Sequence, residues 1–191
     1  AKAKAAADAA RRAADAVAVR RVDDPAGFFS VEFPGQPKSS SIAPNGLFAN
    51  MMAVAGYRYH VKLDGLDYEA KYERWEVVAK GAAAKLDRMT PKLLAGPGLP
   101  PPRGTRVAAR ETIRGFEAAG VYEDRPRKGL LMRRYLVPEQ DGVDRYYTAS
   151  VKGPADWMPS DAARAFVDSF ALTERALEYP LPGAPILALK K

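Results

Sequence analysis

The sequence predicts an α+β fold: an antiparallel β-sheet flanked by helices, with extended tails at both ends. Three observations carry that expectation. Segments of alternating apolar and polar residues recur along the chain, the pattern of half-buried strands. They are separated by turn-forming residues rather than by a helix after every strand, which favours hairpins over a doubly wound parallel sheet. A capped amphipathic stretch after residue 160 then supplies a helix to lie on the sheet.

The chain opens with "AKAKAAADAARRAADAVAVRRV", an Ala-rich stretch of high helix propensity with little to bury beyond Val17, Val19 and Val22. It holds six basic residues, Lys2, Lys4, Arg11, Arg12, Arg20 and Arg21, against two acidic ones, Asp8 and Asp15. Residues 1–24 read as a basic arm, either solvated or ordering on an acidic partner, and its six cations are the candidate partner-binding residues. Asp24-Pro25 and Gly27 mark the boundary with a body spanning 25–172.

The body begins with "GFFSVEFPGQPKSSS": Val31 and Phe33 alternate with Ser30 and Glu32 before a Pro-Gly-Gln-Pro turn. "PGQPKSSSIAPNG" is expected to be a loop from its Pro, Gly, Ser and Asn content. In the next strand Tyr57, Tyr59, Val61 and Leu63 share one face, and Arg58, His60 and Lys62 the other. "LDGLD" turns the chain into a partner strand, where Tyr68, Ala70 and Tyr72 alternate but Trp75 and Val77 fall in the opposite phase. A bulge near Arg74, or a passage into helix, is the expected cause.

"AKGAAAKLDRM" (79–89) is helical by propensity, and the Pro- and Gly-rich "LLAGPGLPPPRG" after it is a connector, with an SH3-type ligand as the alternative. "TRVAARETI", "FEAAGVYED", "LLMRRYLV" and "DRYYTASVK" follow as strands, the last two joined by a "PEQDGV" turn. Ser160 is a good N-cap, Asp161 suits the first turn, and Ala163, Phe166, Val167 and Phe170 line one helical face. Residues 173–191 form a Pro-rich tail whose Ile186, Leu187 and Leu189 have no obvious place in the core.

Composition excludes more chemistry than it suggests. With no cysteine among 191 residues, disulfides, thiolate nucleophiles and Cys-based zinc sites are ruled out. Outside the first 22 residues there are 24 basic and 21 acidic side chains, so the body is not a nucleic-acid surface by charge. No apolar run reaches the roughly 18 residues of a membrane span. An Ala start implies processing, by Met removal or by loss of a targeting peptide. His60, the only histidine, sits between Arg58 and Lys62, which would repel a metal, so its role reads as structural or solvated. Neither a phosphate-binding loop nor EF-hand spacing is present; "DGLDYE" and "EQDGVD" are turns. Tyr146-Tyr147 puts one ring on each face of a strand, one for the core and one exposed. With Tyr57 and Tyr59 these rings could form a stacking platform for nucleic acid, but without an RNP-type pattern core packing is the expected use. Catalytic, cofactor-binding and metal-binding residues are therefore expected to be absent, and the protein not to be an enzyme.

Two framing motifs resemble the PsbP-like family, which includes the photosystem II extrinsic protein and related bacterial extracytoplasmic domains. Gly27, Phe29, Val31 and Pro34 follow the family's opening strand, with one aromatic inserted. Tyr147 and the run Phe166-Val167-Asp168-Ser169-Phe170-Ala171-Leu172 follow its closing strand and helix. The resemblance implies an α/β/α sandwich. It further implies a non-catalytic extrinsic accessory subunit, without cofactor, docked on subunits of a membrane protein complex through the arm and C-terminal tail. The photosystem's lumenal side, and so the thylakoid lumen, is the implied location. "VEFPGQP" is closer to the bacterial branch, which gives the alternative: a free ligand-binding domain of the bacterial periplasm, using a cleft between sheet and helix.

Overall fold

The structure, a computed structural model, describes residues 18–42, 45–48, 51–77, 93–94, 105–110, 113–122, 126–138 and 143–178. The strands are β1 (Val19–Asp23), β2 (Phe29–Pro34), β3 (Lys38–Ile42), β4 (Asn45–Phe48), β5 (Met51–Leu63), β6 (Leu66–Val77), β7 (Leu93–Leu94), β8 (Thr105–Arg110), β9 (Ile113–Tyr122), β10 (Lys128–Pro138), β11 (Val143–Gly153) and β12 (Ala171–Leu172). Two helices are described, α1 (Asp161–Ser169) and α2 (Glu174–Leu177).

All pairings are antiparallel. The large sheet has the order β3-β5-β6-β11-β10-β9-β7, with β4 beside β5 and β8 beside β9; a second sheet has the order β1-β2-β12. Register places like residues in rows across the large sheet. Tyr57 faces Tyr72, Tyr72 faces Tyr147, and Tyr147 faces Tyr135, a row of four tyrosines over β5, β6, β11 and β10. The next rows on the same inner face run Tyr59-Ala70-Ala149 and Val61-Tyr68-Val151.

Strand β2 and helix α1 lie over this inner face. The alternation read in β2 is realised: Phe29, Val31 and Phe33 are buried and Glu32 is exposed. Phe29 meets Phe170 with ring centroids 5.2 Å apart, Phe33 meets Phe166 at 5.0 Å, and Phe166 stands edge-on to Tyr68 at 5.3 Å. Helix α1 starts at the expected cap, where the Ala163 N–H donates to Ser160 Oγ at 3.3 Å. Its buried face is Ala163, Phe166 and Val167, followed by buried Phe170. At its end the Glu32 N–H donates to Ser169 Oγ at 2.9 Å, tying helix to β2. Chain beyond residue 172 is also built into the body. The Thr173 N–H donates to the Phe28 carbonyl at 2.9 Å, the Thr173 hydroxyl to the Gly27 carbonyl, and Ala176 is fully buried.

The expected α+β sandwich with flanking helices is corrected. The described chain is mostly strand, in two antiparallel sheets, and its two helices span nine and four residues. Pieces that short cannot form a layer; α1 shares the inner face with β2, so a second sheet stands where further helices were expected. The helix expected at 79–89 and the Pro-rich connector lie outside the described residues apart from Leu93–Leu94, which is β7.

Three smaller expectations also change. "KSSSI" is not loop but edge strand β3, because five residues find register partners along β5 from His60 to Gly56. Trp75 needs no bulge in β6: it points to the sheet's outer face, where it joins a second apolar cluster with Phe116, Leu130, Met132, Leu136 and Tyr146. The irregularity lies in β5, between Ala53 and Ala55, opposite Trp75 and Arg74. Tyr146 and Tyr147 are both fully buried, one in each cluster, so neither is the exposed ring expected.

A candidate anion-binding groove

The β5–β6 hairpin turns on two residues, Asp64 and Gly65, with φ of 50° and 77°. Both are in the left-handed region, which an Asp-Gly pair accommodates at least cost and which matches the twist of the strands. That tight turn fixes the register behind it. Lys62 on β5 faces Asp67 on β6, and Asp67 faces Lys152 on β11. All three lie on the outer face, as does Lys128 at the start of β10, with Arg127 just before it.

These side chains bound a groove of about 340 Å³ at one end of the sheet, completed by Gly65, Leu66, Pro126, Gly153 and Pro154. Four cations and a single carboxylate thus converge from four strands and the β9–β10 connection. None of the four cations is within ion-pairing distance of a carboxylate among the described residues. Asp67 offsets one of the four positive charges, and the excess that remains makes the groove chemically suited to phosphate or carboxylate groups.

A glycine pair supports the groove wall. Gly129 and Gly153 are register partners across β10 and β11. A Cβ on Gly153 would lie 2.7 Å from Leu66 Cδ2 and 2.9 Å from Trp157 Cγ, and one on Gly129 would lie 2.7 Å from the Pro154 carbonyl oxygen. Only bare backbone lets the Trp157 ring lie against the sheet here. Trp157 is half-buried by this contact, and Met158 beyond it is 50% exposed.

Elsewhere, charges are engaged in holding the fold. Arg133, on the inner face, reaches Glu117 at 2.7 Å, Asp168 at 2.6 Å and the Val167 carbonyl at 3.1 Å, clamping α1 to the sheet. Burial works against its charge, but the two carboxylates outweigh that and hold its pKa above the ordinary value. Arg134 points to the opposite face and is buried, which lowers its pKa; it donates to Thr148 Oγ1 at 2.9 Å. Arg145 is fully buried, donates to the Glu178 carbonyl at 3.2 Å and lies 5.9 Å from the Phe28 ring centroid.

The sequence-predicted cations are placed only in part. Arg20 and Arg21 belong to strand β1, in register with Phe33 and Glu32, and Arg21 Nε donates to Asp23 at 2.9 Å. Lys2, Lys4, Arg11 and Arg12 lie outside the described residues, as does the Pro-rich tail from residue 179. His60 sits on the outer face between Lys38 of β3 and Glu69 of β6, and its Nδ1 is buried without a hydrogen-bond partner among the described residues. The Tyr57, Tyr59 and Tyr147 rings pack on one another or on Phe29 in the inner core, and no stacking platform is left of them. The groove cations were missed because Lys62, Lys128 and Lys152 are far apart in sequence; only strand register unites them.

No helix among the described residues is long and apolar enough to cross a membrane. Comparison with known proteins adds no further guide: no family model matches the chain, and no curated protein matches it.

Proposed function

We propose that the protein is a non-catalytic accessory subunit that docks by electrostatics on a larger membrane-associated assembly. The observation that carries this reading is the groove: Lys62, Arg127, Lys128 and Lys152, four cations against the single carboxylate of Asp67, held at strand ends and in the β9–β10 connection. The basic arm, from Lys2, Lys4, Arg11 and Arg12 to Arg20 and Arg21, adds charge of the same sign. Each exposed cation contributes only about 0–1 kcal/mol, so the set acts together and docking weakens with salt. The PsbP-like resemblance points to the lumenal side of a photosystem as the assembly, and its bacterial branch to the periplasm. Among the described residues the space between α1 and the sheet is filled by Phe29, Phe33, Phe166, Phe170 and the tyrosine rows, which leaves no cleft there for a small ligand.

Native extract separated by size, before and after a high-salt wash of the membranes, tests the proposal. The chain should migrate with a large complex and leave it in salt. Migration at its own 20.7 kDa before any wash would overturn the docking role.

A further inference from the structure

The groove holds one residue that attraction of an anion does not require. Asp67 stands midway in the row Lys62-Asp67-Lys152, with a strand spacing of about 4.8 Å on either side. It is half-buried, as are Lys128 and Lys152, whereas Lys62 and Arg127 are exposed. Despite a lysine on each side, its carboxylate makes no ion pair within 4.0 Å among the described residues. An unengaged acceptor therefore lies in a site whose charged side chains are otherwise all donors.

A carboxylate accepts hydrogen bonds and donates none, so it sorts the anions that the cations attract. Sulfate, a carboxylate ligand and a phosphodiester offer only acceptor oxygens, and each sets negative charge against Asp67 with no hydrogen bond in return. Inorganic phosphate at neutral pH, or a monoester in its singly charged form, still carries an O–H. That hydroxyl donates to Asp67 while the remaining oxygens face the lysines.

We infer that the groove selects a phosphate that retains a proton, whether the free ion or the end of an ester, and that Asp67 determines the selectivity. The inference rests on the groove being the docking site proposed above and names the anion it takes. Charge agrees with it: the four cations exceed Asp67 by three, more than one carboxylate ligand neutralises and enough for a doubly charged phosphate. The donors agree too, because three of the four are lysines, which serve phosphate as point charges without a fixed planar geometry.

Titration calorimetry of the full chain at neutral pH and constant ionic strength tests this, with sodium phosphate against sodium sulfate. The two ions match in shape and differ in the O–H. The parent should bind phosphate roughly tenfold tighter than sulfate, the scale of one hydrogen bond made against one acceptor left opposed. Asp67→Asn, whose amide both donates and accepts, should erase most of that preference by admitting sulfate. Lys128→Gln with Lys152→Gln should weaken both ions, and Lys38→Gln with Arg164→Gln, the same charge change elsewhere, neither. Equal affinities in the parent, a preference that survives Asp67→Asn, or binding of neither ion would each overturn the inference. Glycerol phosphate as a third probe assigns the source: tighter than inorganic phosphate means an ester end, weaker means the free ion. The docking reading fails separately. A chain that leaves a large complex in salt yet shows no preference for phosphate docks by unselective charge, whereas phosphate selectivity in a chain that never migrates with a complex leaves a small-anion site and no docking role.

Discussion

The two faces of the large sheet are built from the same strands yet differ in what they hold. On the inner face, rows of tyrosine and valine meet Phe29, Phe33, Phe166 and Phe170, and nearly every ring has an aromatic neighbour. On the outer face, an apolar cluster around Trp75 and Tyr146 gives way toward the β5–β6 turn to Lys71, Glu69, His60, Lys62, Asp67 and Lys152. Because side chains alternate with a period of two, one strand serves both purposes: Val61 secures the core while Lys62 faces outward. The core and the proposed docking surface are thereby separated by one residue in sequence and by the thickness of a sheet in space.

The sharpest way to break that comparison is to damage the inner face and leave the groove alone. Phe29 is 1% exposed and stands against Phe170, Tyr59 and Tyr147, so Phe29→Ala leaves a large cavity. The expected loss is about 3–5 kcal/mol, read as a lower urea midpoint. Lys62→Gln should stay within about 0.5 kcal/mol of the parent, as surface changes do. Similar costs for the two substitutions would mean that the faces do not divide the work as described.

Tyr146 probes the apolar part of the outer face. It is fully buried, and its hydroxyl has no hydrogen-bond partner among the described residues. Leaving such a group unmade costs about 1–3 kcal/mol, so Tyr146→Phe should be neutral or stabilising at neutral pH. Burial, with Asp144 nearby, pushes its phenol well above the ordinary 10.0, against the pull of Arg134. The folded chain then keeps a proton that the unfolded chain releases. This contribution is complete below about pH 10 and falls by about 1.4 kcal/mol per unit above it. Burial also raises Tyr57, Tyr59, Tyr68 and Tyr135, so the alkaline decline is shared and the difference between parent and variant isolates Tyr146. Urea unfolding from neutral to alkaline pH should show a shallower decline for the variant; parallel declines would mean this side chain is wet.

How much of this was legible in the sequence follows from which interactions are local. The alternation in β2 and β5, the Asp64-Gly65 turn and the Ser160 cap depend on near neighbours, and all could be read directly. Strand β3 was not legible: "KSSSI" has loop composition, and its strand form comes from backbone pairing to β5. Trp75 was misread because a period-two pattern with one apolar face was assumed, whereas the outer face buries a cluster of its own. The groove was least legible of all. Nothing marks Lys62, Lys128 and Lys152 as a set until antiparallel register brings the ends of β5, β10 and β11 together.

The smallest expected effect lies between the groove and the Trp75 cluster. Arg58 Nε donates to Ser40 Oγ at 3.1 Å, and its Nη1 reaches Glu69 at 3.5 Å, while its own side chain is 47% exposed. The carboxylate is long for an ion pair and the guanidinium is half in water, so solvent screening removes most of the attraction. Arg58→Ala should lower stability by less than about 1 kcal/mol, measured as a small shift in urea midpoint that shrinks further in high salt. A larger, salt-insensitive loss would mean that polar pairs on the outer face hold the sheet as the aromatic rows do. Structure and recognition would then share residues there, and charge changes at Lys62 and Lys152 could no longer be read as effects on docking alone.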